Sequence, residues 1–116
     1  MGQTTLSLIL HGPLGSQPLT ALVDAGATFT RVPRPLAARL GLQETYETPV
    51  ELGDGRVVTR PLTLAEVEME GVRRPVLLAL SGDGERPLVG YTTLELLGFK
   101  VNPLTNRLEK TPAIEP

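Results

Sequence analysis

The chain has 116 residues, enough for one domain, and its 41% hydrophobic content with only 3% aromatic leaves a modest core to aliphatic side chains. A formal net charge of -2, with no block of Lys or Arg, argues against a nucleic-acid or membrane-surface partner. With no cysteine in the chain, disulfides, thiol catalysis and thiolate metal sites are excluded.

No run of about 18 apolar residues offers a membrane span. Met1 to Leu10 lacks a charged segment followed by an apolar core, so no leader peptide is expected. A reducing, cytoplasmic compartment fits. The 12 glycines and 11 prolines recur at short intervals, which predicts many short strands joined by turns.

In chain order, Thr4 to Leu10 alternates, with Leu6, Leu8 and Leu10 on one face. Gly12 to Gln17 reads as a turn, with His11 beside it. Pro18 to Val23 is a second strand that runs into Asp24-Ala25-Gly26-Ala27, and Thr28 to Val32 is extended again. A short helix follows, with Pro35 in its first turn, Leu36 and Leu40 on one face and Gly41 past its end. Thr45 to Leu52 reads as a strand, Gly53-Asp54-Gly55 as a hairpin tip, and Arg56 to Pro61 as the return. Thr63 to Met69 is a separate alternating strand, with Ala65, Val67 and Met69 opposite Glu66 and Glu68. Glu70-Gly71 is another hairpin turn, and Val72 to Leu80 runs back with Leu77-Leu78 buried. After a polar loop from Ser81 to Arg86, Pro87-Leu88-Val89 is a short buried strand that stops at Gly90. A second helix spans Thr92 to Leu97, with capping-box spacing between Thr92 and Glu95 and a stop at Gly98. Val101 to Leu108 forms a terminal hairpin, and the tail from about 111 to 116 is loose. No internal repeat is present, so residues 1–116 are read as a single domain.

One segment carries candidate chemistry. Ala21-Leu22-Val23-Asp24-Ala25-Gly26-Ala27-Thr28 sets a carboxylate at the end of a hydrophobic strand, among small residues that let a ligand's backbone approach. The simpler reading is that Asp and Gly only make a turn there. Asp54 and Asp83 lack this context.

This stretch resembles the Asp-Thr/Ser-Gly-Ala motif of the retropepsin-like, retroviral-type single-domain aspartic proteases, here of the bacterial type. The likeness continues through "ATFTRVPRPLAARLGL" and returns at "RPLVGYTTLELLGFKVNP", where that family has two apolar residues and a glycine before a helix behind the active-site loop. It covers the chain from about Leu6 to Leu108. The resemblance implies an all-β, closed acid-protease barrel with one or two short helices, acting as a homodimer on a peptide or protein substrate. It implies no cofactor and no metal. Asp24 would be catalytic and would meet Asp24 of a second copy across a twofold axis, sharing a proton and activating a water. Ala25, Gly26, Ala27 and Thr28 would form the active-site loop.

The hairpin over about residues 49–60 would be the flap, with Leu52, Gly53, Asp54, Gly55, Arg56 and Val57 at its tip. The simpler reading is a plain surface hairpin. Leu88 and Val89 would wall substrate pockets, although either could serve only the core. Gly90 would let the helix approach the Asp24 loop. Ala25 departs from the pattern, which has a Thr or Ser whose hydroxyl braces the two aspartates across the dimer. That departure keeps open a catalytically weak or inactive dimerisation or peptide-binding module. Thr28 stands where viral relatives carry an acidic residue. His11 reads as a turn residue without a serine or ligand partner. Glu66, Glu68 and Glu70 read as a solvated sheet face rather than a metal site, with no histidine near them.

Overall fold

The computed structural model describes residues 4–82 and 84–116. Strand β1 (Thr5–Gly12) turns at Pro13-Leu14 into β2 (Gly15–Asp24), in antiparallel register from Thr5 opposite Leu22 to Gly12 opposite Gly15. The turn is therefore tighter than the Gly12 to Gln17 stretch expected. Leu6, Leu8 and Leu10 are all buried, as their alternation requires.

After the Asp24 loop comes β3 (Thr30–Pro33), which leads directly into helix α1 (Arg34–Arg39). Pro33 is the N-cap and Pro35 sits in the first turn, where a missing N–H costs nothing. Leu36 and Leu40, four residues apart, bury one helix face against the barrel. Strand β4 (Tyr46–Glu51) and the long β5 (Val57–Met69) form the next hairpin, and β5 pairs in turn with β6 (Val72–Ser81). Residues read as two strands, 56–61 and 63–69, are thus one continuous strand passing through Pro61 and Leu62. Pro61 can lie inside it because β5 trades partners along its length, β4 in its first half and β6 in its second.

Strand β7 (Leu88–Gly90), helix α2 (Tyr91–Leu97), β8 (Phe99–Val101) and β9 (Leu108–Lys110) complete the chain. Helix α2 starts one residue before the expected Thr92. Gly90 is its N-cap and no side chain caps it, so the Thr92/Glu95 spacing makes no capping box. Its end at Gly98 is as expected, in the left-handed region at φ 84°.

The seven-stranded sheet runs β1-β2-β7-β3-β6-β5-β4. A further pairing of β1 with β5, at Ile9–Glu68, Leu10–Val67 and His11–Glu66, closes six of these strands into a barrel and leaves β4 outside the ring. Inside lie Leu10, Val67, Leu78, Val32 and Val89, all at most 1% exposed. Burying each such side chain contributes roughly 1.5–3 kcal/mol. Leu94, Leu97 and Phe99 pack into the same core. Leu78 is buried but Leu77 is 37% exposed, because neighbouring side chains on a strand point to opposite faces and here only one of the two is covered. Strands β8 and β9 form a separate two-stranded sheet, and the tail from Pro112 has no helix or strand. Among the described residues no helix is long and apolar enough to cross a membrane.

Candidate active site

Strand β7 lies between β2, to which it is parallel, and β3, to which it is antiparallel. The parallel pairing sets Leu22 beside Leu88, Val23 beside Val89 and Asp24 beside Gly90. Asp24 is thus the last residue of β2, where the backbone leaves the sheet. The amide N–H of Ala27 donates to the Asp24 carbonyl at 3.1 Å, and that of Gly26 donates to Asp24 Oδ1 at 3.0 Å. The side chain therefore holds its own loop, as aspartate does in turns. No other hydrogen bond to this carboxylate occurs among the described residues, and Asp24 is exposed in the single chain.

The loop is fixed from behind. The Tyr91 N–H donates to the Ala27 carbonyl at 2.9 Å. The Gly90 N–H donates to Thr30 Oγ1 at 3.1 Å, and that hydroxyl donates to Thr93 Oγ1 at 2.7 Å. Both threonines are 1% exposed. A Cβ on Gly90 would stand 2.6 Å from the Phe29 carbonyl oxygen and 2.7 Å from that of Ala27, so no side chain fits between α2 and the loop. Thr30 and Thr93 escaped notice in the sequence. For Thr30 the one available signal is its inward-facing strand position beside Val32; Thr93, on α2, has none.

Asp24 stands where two clefts meet. The larger, about 590 Å³, runs between the Asp24 loop and the β4–β5 hairpin. Gly26, Ala27, Thr28 and Leu88 line one side, and Pro49 to Gly53 the other. The smaller, about 340 Å³, lies beyond Asp24 and is lined by Leu22, Ala25, Leu88 and Val101, with Thr4 and Asn106 at its edge. The structure thus brings Leu52, Gly53 and Leu88 to the carboxylate's surroundings. Asp54, Gly55, Arg56 and Val57 form the exposed hairpin tip and do not line the cleft. There Asp54 is held by the Arg56 N–H and guanidinium, which together keep its carboxyl below the usual range. Val89, at 0% exposure, packs in the core and reaches neither cleft.

Charge enters the larger cleft through Arg31 and Arg60. Both Oε atoms of Glu85 accept from Arg60, at 2.9 Å each, and Arg31 Nη1 stands 3.5 Å from Glu85. The hydrogen bond from Arg60 is the main reason that the Glu85 carboxyl lies below its ordinary value. Asp83, in the neighbouring loop, lies outside the described residues.

His11 is not a turn residue. It sits in β1, and its Nε2 lies 2.8 Å from Glu68 Oε1, so a histidine does stand beside the β5 glutamates. The pairing of β1 with β5 brings them together from 57 residues apart. Glu66 instead pairs with Arg73. Among the described residues no group of three or more His, Asp or Glu is placed to hold a metal ion.

The site therefore offers one carboxylate with an unengaged oxygen, on an open face, where two clefts meet. Such a group can take a proton from water or give one to a carbonyl oxygen, but not both at once.

A family model described as "Aspartyl protease" matches residues 10–101. No curated protein matches the chain. Among solved structures, the chain is similar to the retroviral protease-like domain of Ddi1 from Leishmania major, at 19% identity and a TM-score of 0.57, over 92% of this chain and 88% of that one. It is also similar to a retropepsin-like aspartic protease from Rickettsia conorii, at 16% identity and a TM-score of 0.52, over 88% of this chain and 89% of that one.

Proposed function

The chain belongs to the aspartyl protease family and has the retropepsin-like fold, and from that premise we propose that it is an aspartic endopeptidase whose working site takes Asp24 from each of two copies. The observation that carries this reading is the placement of Asp24: a lone carboxylate with one oxygen tied to its own loop, exposed where two clefts meet. Alone it lacks the second carboxyl that acid–base hydrolysis needs. A twofold axis beside the loop supplies it as the same residue of the partner.

Two carboxyls at such close range share one proton. The ionised one accepts a proton from a water held between them, and the water oxygen bonds to the scissile carbonyl carbon. The protonated one donates to the carbonyl oxygen, giving a neutral diol. Collapse of the diol breaks the C–N bond. The leaving nitrogen takes a proton from one carboxyl as a diol hydroxyl returns its proton to the other. The β4–β5 hairpin, with Leu52 and Gly53 on the cleft, serves as the flap over the bound peptide, and Leu88 walls the pocket.

The test is incubation of concentrated protein with a denatured protein substrate at mildly acidic pH. Cleavage is expected, blocked by a statine-type transition-state mimic. It should fall by about 10²–10⁴-fold or more in Asp24→Asn, the range for loss of a general acid–base group. Cleavage that survives this substitution sinks the reading.

Ala25 favours a second reading. Its methyl group cannot make the bracing hydrogen bond that a Thr or Ser would make across the axis, which fits a weakly catalytic or inactive peptide-binding dimer. Specific peptide binding without turnover, unchanged by Asp24→Asn, would select it.

A further inference from the structure

The row of side chains crossing the sheet beside Asp24 is apolar except for one member. Strand register sets Leu22 against Leu88, Leu88 against Arg31, and Arg31 against Ala79, so the four share a face. Leu88, Arg31 and Ala79 all line the larger cleft. An aliphatic residue would suit this row; a guanidinium there, 25% exposed, must be satisfied and held.

Arg31 is held. Its Nε and Nη2 donate to the Arg86 carbonyl oxygen at 3.2 and 2.7 Å. Its Nη1 lies 3.5 Å from Glu85 Oε2, longer than a normal hydrogen bond. Glu85 cannot serve it fully, because Arg60 already engages both carboxylate oxygens in a fork. Arg31 and Arg60, both on this cleft, thus bear on one anion, Glu85, beside it. The other charged groups on this cleft are Asp24 itself and Glu51, which is exposed at the end of β4. A positioned guanidinium with N–H donors to spare, in an otherwise apolar row of side chains, is a receptor for a carboxylate.

We propose that Arg31 makes this wall a subsite for an acidic side chain, aspartate or glutamate, of a peptide lying in the cleft. The inference rests on the protease reading and narrows its substrates to acidic peptides. Leu88 and Ala79 receive the methylenes of that side chain while Arg31 takes its carboxylate. The Arg86 carbonyl keeps the guanidinium in place.

The experiment compares kcat/KM for peptide pairs that differ only as Glu against Gln, at each position on either side of the cleaved bond, at about pH 5.5 where glutamate is ionised. One position is expected to favour Glu by about tenfold, the order that a charge-assisted hydrogen bond supplies. Arg31→Gln should bring that ratio to near unity, and Arg31→Lys should restore part of it. A wild-type protein without a Glu preference at any position, or a preference that outlasts Arg31→Gln, overturns the inference and leaves the protease reading standing. If no peptide is cleaved, the protease reading fails, and the same pairs are compared by fluorescence-anisotropy binding. There a Glu preference removed by Arg31→Gln upholds the subsite. Equal binding, or none, overturns it.

Discussion

Ala25 lies next to the carboxylate and lines the smaller cleft. If two copies meet there, Ala25→Thr adds one hydrogen bond per protomer, and symmetry counts it twice. Each is worth about 0.5–1.5 kcal/mol, so dimer affinity should rise by about 1–3 kcal/mol. Sedimentation equilibrium reads the affinity and peptide cleavage reads the turnover; no change in either removes Ala25 from the account of the site. Gly90 makes the opposite kind of prediction. Its Cβ position is occupied by the Phe29 and Ala27 carbonyl oxygens, both backbone and unable to swing aside. Gly90→Ala should therefore cost about 1–3 kcal/mol in urea unfolding, the usual range for overpacking. It should also weaken catalysis by displacing the Asp24 loop. A variant as stable and active as the parent would mean that α2 can retreat freely.

The larger cleft's wall depends on the element pairing that joins β3, β5 and the loop before β7. Glu85 ties them, with Arg60 on β5 and Arg31 on β3. Its carboxyl is depressed in the folded chain, so its stabilisation is fully present above the ordinary glutamate value of about 4.3–4.5. That stabilisation is lost as pH falls through the lower folded value. The side chain is 37% exposed, so solvent screens part of the effect. The pair thus persists at mildly acidic pH and fails only in stronger acid. Urea midpoints compared at about pH 7 and about pH 3 should show a smaller acid loss in Glu85→Gln than in the parent; an equal loss would show that other groups govern it.

This element was invisible in the sequence, since Arg31, Arg60 and Glu85 lie in three separate segments and only the barrel brings them together. The same holds for His11 and Glu68. What could be read was local: the alternation of Leu6, Leu8 and Leu10, the Asp-Gly and Glu-Gly hairpins, and Gly98 as a helix stop. Local rules also misled. Thr92 and Glu95 have capping spacing, but β7 runs straight into α2 and Gly90 takes the cap. Leu77 looked like core because its neighbour is, although a strand must alternate. At the site, the motif placed Asp24 at a strand end, but the buried hydroxyls of Thr30 and Thr93 that brace it came only with the fold.

For the whole molecule, the decisive question is assembly. Specific activity should rise with protein concentration and level off once dimers form. An equal mixture of parent and Asp24→Asn, exchanged at random, should show about a quarter of the activity of pure parent at the same total protein concentration, because only parent–parent pairs carry two aspartates. Half the activity after exchange would show that each copy works alone.

Barrel closure has a consequence for such crowded solutions. Joining β1 to β5 removes most free strand borders, which otherwise recruit neighbouring chains into fibrils. Among the described residues, the borders that stay open include the outer side of β4 and the first part of β2 before it meets β7 at Leu22. Each contains a proline, Pro49 in β4 and Pro18 in β2, and a proline has no N–H to offer an incoming strand. At high concentration these two borders are thus poor templates for an incoming strand of a second copy.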